Sequence, residues 1–254
     1  MWRVVCLALL LSLNIHAQQA LSYSQLQVDD LTRQLPAAEI SQIDATEPVL
    51  LLQRPAMTAS RKGTVILLAD SAEHAASPKH IDNLRQQLND YGWDTLSVMP
   101  PDAAMLTGDS DAIQQFQTAV MQRISAAQQQ ARQQSGSVVV IAQGNSAAVL
   151  NQLYVAEQLA EPEALILLGA YLPDPQLNIE LAKAIASHQI PTLDINHQYD
   201  NRFVNAQLAL RQKWVNKQLK PVYRQRQIIG SGLHQEVQQW VLHEIYGWLT
   251  SIGL

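Results

Sequence analysis

With 254 residues, the chain has the length of one large domain with a well-buried core. A hydrophobic share of 47 % and a charged share of 15 % exclude a charged, disordered protein. The net charge of −5 comes with no basic stripe, which excludes nucleic acid as the main partner, because phosphate neutralisation needs clustered Lys and Arg.

The first residues, MWRVVCLALLLSLNIHAQQA, fall into three parts. Arg3 supplies a positive start, Val4 to Leu13 an apolar run, and Ala17 a small residue suited to cleavage. The run is too short to cross a bilayer. Residues 1–17 therefore read as a secretory signal peptide, and the protein is expected in the periplasm or outside the cell, with no stable membrane span after cleavage. Cys6 is the single cysteine and lies inside this segment, too early for a lipoprotein site. The mature chain would then have no disulfide, no thiol nucleophile and no zinc-thiolate site.

Next comes LSYSQLQVDDLTRQLPAAEI, which reads as a short amphipathic helix ended by Pro36. Residues 18–47 are thus expected to form an N-terminal helical extension. PVLLLQRP, between Pro48 and Pro55, reads as a strand, and TVILLAD as a continuous apolar strand. Pro78 opens a helix that Gly92 closes, and WDTLSVMPP is the next strand. From about Asp111 to Gln134, Ile113, Phe116, Val120, Ile124, Ala127 and Ala131 recur at steps of three and four, which gives a long helix one apolar face. SVVVIA is a strand followed by a helix from about Asn145 to Leu159. ALILLGAY, PTLDI and VYRQRQII are further strands, each separated from the next by a helix, and LHQEVQQWVLHEIYGWLTSI is the closing helix. Short apolar strands alternating with helices predict an α/β domain over residues 48–254, with a mostly parallel central sheet flanked by helices on both faces. No connection after VVVIAQGNSAAVL is long enough for a substantial lid.

In such sheets ligands bind beyond the carboxyl ends of the strands. The loop after TVILLAD carries Ser71, Glu73 and His74, and in an acyl-transfer enzyme it would give one backbone N–H to the oxyanion. The loop after PTLDI presents Asp200, and the glycine loop IIGSGLH presents His234. Strand-to-helix turn, then Asp, then His is the chain order of a catalytic triad on this kind of sheet. Each residue also has a plainer role: Asp200 as the cap of a helix starting near Phe203, and His234 as an ordinary first-turn residue. Together, in this order, the triad positions explain them better. His188 and His197 read as surface-loop histidines and His243 as structural. No two histidines sit three or four apart on a helix beside an acid, so no metal and no cofactor is expected.

These segments resemble the α/β-hydrolase superfamily over nearly the whole mature chain, with PTLDINHQYD matching its strand-then-acid segment and GSGLH its His loop. More closely, RQLPAAEI, VILLADSAEH, LRQQLNDYGWDTLSVMPPD, VIAQGNSA and IPTLDINHQYD resemble a bacterial family of unknown function, domain of unknown function 3530. The resemblance implies a hydrolase fold and an envelope location. Where hydrolases commonly carry a His-Gly pair after the strand, this chain carries Ala69-Asp70, a departure in the oxyanion loop.

A nucleophile elbow needs small residues two before and two after its apex. Gly144 at the apex gives Ala142 and Ser146; Ser146 at the apex gives Gly144 and Ala148. The apolar run ends at Ile141 and the small residue should follow at once, as Ala142 does. The apex backbone is also strained toward positive φ, which glycine adopts at little cost. Gly144 is therefore favoured, leaving a vacant nucleophile position. The expectation is an exported hydrolase-fold protein that binds a small molecule or an envelope partner, with the Ser71 and Asn145 backbone N–H groups as oxyanion-type donors and His74 lining the site. The alternative is a serine carboxylesterase or peptidase that acts on an ester-like ligand through Ser146, Asp200 and His234.

Overall fold

The computed structural model describes residues 22–102 and 110–254. The segment expected to be a signal peptide, with Cys6, lies outside the described residues.

The chain begins with helix α1 (Tyr23–Gln34), capped by the Ser22 side chain, which accepts from Gln25 N–H. Two strands follow, β1 (Ile40–Asp44) and β2 (Pro48–Arg54). The expected helical extension over 18–47 is thus only half helical. Ile40–Asp44 pairs antiparallel with β2 along its length and becomes an edge of the main sheet. Ile43 and Val49 are both buried, so this hairpin contributes to the core.

The remaining elements alternate: β3 (Gly63–Leu68), α2 (Ile81–Gln87), β4 (Trp93–Val98), α3 (Ser110–Arg132), β5 (Ser137–Gln143) and α4 (Gly144–Val155). Then come β6 (Ala164–Leu168), α5 (Pro175–Ser187), β7 (Thr192–His197), the short α6 (Arg202–Asn205), α7 (Leu208–Gln218), β8 (Tyr223–Ile228) and α8 (Gln235–Ser251). The strands form one eight-stranded sheet in the order β1-β2-β4-β3-β5-β6-β7-β8. Only β1 and β2 run antiparallel to their neighbours; the other pairings are parallel.

Side-chain alternation divides the core between the two faces of this sheet. Ile66, Val140 and Leu167 point to a face covered by α1, α3, α4 and α5, where Phe116, Val120 and Ile124 of α3 form the expected stripe. Val65, Val139 and Ile166 point to the other face, covered by α2 and α8 through Leu84, Val241, Ile245 and Trp248. The half-dozen apolar strands are buried on both sides, which is why they read as continuous apolar runs rather than alternating ones.

A candidate ligand-binding cleft at the carboxyl edge of the sheet

The register of the sheet fixes the geometry of the cleft. β3 and β5 are parallel neighbours with Leu68 opposite Ala142, so Asp70 and Gly144, each two residues further on, come side by side. β5 and β6 align Gln143 with Leu168, which puts Gly144 beside Gly169. Gly144 is the first residue of α4, immediately after the strand, with φ of 56°. A left-handed residue is what lets a strand turn straight into a helix here. Ser146 is the third residue of that helix, fully buried, and its Oγ has no hydrogen-bond partner among the described residues.

The space where a side chain on Gly144 would stand is filled by Asp70. A Cβ built on Gly144 would overlap the Asp70 carboxylate carbon and both its oxygens. Asp70 Oδ1 accepts from Ser71 N–H at 2.7 Å and from Asn145 N–H at 2.9 Å. These are the two backbone donors expected to converge, one from the loop after β3 and one from the start of the helix after the turn. They do converge, on an internal carboxylate. Asn145 is locked in place by its side chain, which accepts from Ser71 Oγ at 3.1 Å and donates to the Tyr171 carbonyl at 2.8 Å. Burial raises the Asp70 carboxyl above the usual carboxylate range, and the Asn145 and Ser71 N–H groups and Lys79 partly offset that rise.

A cavity of about 100 Å³ opens beside this carboxylate, lined among others by Glu73, Lys79, Gln143, Tyr171 and Asp200. Glu73 accepts from Gln143 Nε2 at 3.2 and 3.3 Å and from the Ser77 hydroxyl, and burial raises its carboxyl too. Burial, followed by the nearby Asp70 charge, pushes the Tyr171 phenol up to about 12. A larger open groove of about 650 Å³ lies between α3 and the β1–β2 edge, with six glutamines in its lining.

Asp200 reaches the cleft as expected, with a different partner. Its Oδ1 pairs with Lys79 Nζ at 3.1 Å and its Oδ2 accepts from His197 N–H at 2.7 Å. His234 does not join it. This residue is the exposed cap residue before α8, and its recorded bonds are backbone ones to Ser231 and Gln238. His234 thus stands in solvent at the start of α8, and Asp200 is held by Lys79 and the His197 N–H. His74 also stands outside the cavity lining; it is half-buried, and its Nδ1 accepts from Ala76 N–H within its own turn.

Two histidines read as surface residues are buried instead. His197 Nε2 lies 2.7 Å from His80 Nε2, with the rings stacked at 4.8 Å. His80 has φ of 77°, and its ring packs where a Cβ on Gly232 would stand. Burial, with His197 and Lys79 adding to it, lowers His80 to about 3, so it is neutral at pH 7. His188 lies at the opposite end of the sheet, where its ring bonds Asn151 Oδ1 and Lys220 Nζ. Among the described residues no group of three or more His, Cys, Asp or Glu could hold a metal ion. Lys79, Gln143, Tyr171 and the His80–His197 pair carry no motif that marks them in the sequence. The signal that could have found Asp70 and Gln143 was register: both lie at the ends of adjacent apolar strands.

A family model described as Protein of unknown function (DUF3530) matches residues 14–114 and 107–251. No curated protein matches the chain. Among solved structures, Est1E from Butyrivibrio proteoclasticus is similar at 11 % identity with a TM-score of 0.63, over 84 % of this chain and 98 % of that one. Dienelactone hydrolase from Anabaena variabilis is similar at 13 % identity and 0.61, over 84 % and 98 %. An esterase from Pyrococcus furiosus is similar at 13 % identity and 0.62, over 84 % and 90 %. At these identities the likeness shows the fold, which is that of the α/β-hydrolases.

Proposed function

Since the chain belongs to the DUF3530 family and carries an α/β-hydrolase fold, we propose that it is an exported binding protein whose former acyl-transfer site now holds a small polar ligand. The observation that carries this reading is the Asp70 carboxylate seated on the Ser71 and Asn145 N–H donors, beside a glycine at the turn. An oxyanion hole works by leaving its donors aimed at charge that develops only in the transition state. Here a resident carboxylate already takes both donors. A nucleophile side chain at position 144 would have to share its space with that carboxylate. Ser146 is no substitute, being enclosed in α4 with no base among the described residues within hydrogen-bond reach of its Oγ. Export rests on the character of the first 17 residues, and the ligand would then be a small molecule of the envelope or a group on an envelope partner.

Treatment of the purified protein with a fluorophosphonate probe tests the reading. The expected result is no covalent label. A label that disappears in Ser146→Ala would overturn it and restore the serine hydrolase.

A further inference from the structure

The cavity beside Asp70 has more acceptors than donors. Asp70, Glu73 and Asp200 bring three carboxylates to it, and Lys79 is the one cation in its lining. Lys79 is committed to Asp200. Among the described residues the hydrogen bonds to the Asp70 carboxylate all fall on Oδ1, which leaves Oδ2 as an acceptor without a donor on a residue that lines the cavity. A separate observation points the same way. Gln143 lines the same cavity, is only 3 % exposed, and gives its amide N–H to Glu73, while its Oε1 has no partner among the described residues. A buried amide oxygen without a donor is unfavourable, and native structures seldom leave one unless something else satisfies it.

Resting on the binding-protein reading above, we propose that the cavity takes a primary ammonium group. Its three N–H donors would be shared among Gln143 Oε1, Asp70 Oδ2 and the Glu73 carboxylate. An ammonium suits the site on three counts. It supplies donors in several directions at once, it carries the charge that the unpaired carboxylates lack, and it is small. A volume of about 100 Å³ holds roughly three waters, or a short aliphatic amine. A quaternary ammonium has the charge without the donors, and an alcohol has a donor without the charge, so the site distinguishes both from a primary amine.

The test is a titration of the whole mature protein with propylammonium chloride at constant ionic strength, following the backbone amide NMR signals of the residues that line the cavity. Propan-1-ol and tetramethylammonium serve as matched probes. The expected result is one saturable site for propylammonium, at least tenfold tighter than for either control. Affinity should rise with pH between 4 and 7, because binding favours ionised carboxylates and so releases protons. Asp70→Asn and Gln143→Met should each weaken binding about tenfold or more. If either variant fails to fold, the pH dependence and the two control ligands still decide. Equal binding of propan-1-ol or tetramethylammonium, affinity flat with pH, or folded variants that bind as the wild type does would each overturn the ammonium site. Absence of propylammonium binding together with absence of fluorophosphonate labelling would remove this inference alone. Labelling at Ser146 would remove the reading beneath it.

Discussion

Asp194, inside β7, and Asp70, at the carboxyl edge beyond β3, are held in opposite ways. Asp194, in β7, is fully enclosed; both its oxygens are within 3.1 Å of Arg211 Nη1, and the Tyr223 hydroxyl donates to Oδ2 at 2.9 Å. Arg211 in turn gives its other terminal nitrogen to the Ala170 carbonyl, tying α7 to the loop after β6. Among the described residues Asp70 has no contact ion pair; backbone N–H groups hold one of its oxygens, and the residue lines a cavity. A charge matched on every side is part of the frame. A charge matched on one side only is a site. Buried ion pairs of the first kind are costly to break from one end, because the survivor is left uncompensated.

The largest expected effect comes from breaking the matched pair. Arg211→Met should strand Asp194 in the core and lower stability by about 3–5 kcal/mol, read by urea denaturation at pH 7. Next comes Gly144→Ser, which places a side chain in left-handed backbone, at about 1–3 kcal/mol, and adds overlap with Asp70. Combining it with Asp70→Gly should recover much of that loss, a coupling that a double-mutant cycle would measure directly. If the two substitutions prove additive, Asp70 does not occupy the place a residue-144 side chain would take.

Acidification probes the opposite end of the sheet. Burial, then the neighbouring Lys220, lowers His188 to about 3 from its ordinary 6.5. A histidine depressed in the folded state contributes stability that is present above 6.5 and is lost as the pH falls. At 1.36 kcal/mol per unit, that loss is about 2 kcal/mol at pH 5. His188→Gln should flatten the acid side of the stability profile by about that amount. The smallest effect is expected of Asp70→Asn. Asn keeps an oxygen for the two N–H donors, so stability at pH 4 should change by under about 1 kcal/mol. Burial raises the Asp70 carboxyl, so the wild type loses stability as the pH climbs from about 4 through that raised value. The Asn variant lacks that loss, and the difference should move in its favour toward pH 7. A difference that stays flat with pH would mean that Asp70 is as fully matched as Asp194.

Much of this architecture was legible because it rests on local pattern. Apolar runs such as TVILL and SVVVIA are buried on both faces and could only be interior strands of a parallel sheet. The long helix from Ser110 announced itself through its stripe of Phe116, Val120 and Ile124. Gly144 was readable as the turn residue because strand end, small neighbour and positive φ all fall on one position. β1 was not legible: ISQID has the polar alternation of an edge, and only its pairing with β2 makes it a strand. His234 misled because chain order says which residues follow which, not which way a loop faces.

The sequence by itself determined the layers, the order of the elements, and the glycine at the turn between β5 and α4, since hydrophobic periodicity and backbone sterics act over a few neighbouring residues. Only the tertiary structure decided what fills the space above that glycine. Asp70 and Asn145 are 75 residues apart, and the parallel register of β3 on β5 brings one onto the other's N–H. The same register leaves Gln143 with an unanswered oxygen beside it. Such matches and mismatches arise between strands, where no stretch of sequence contains both partners.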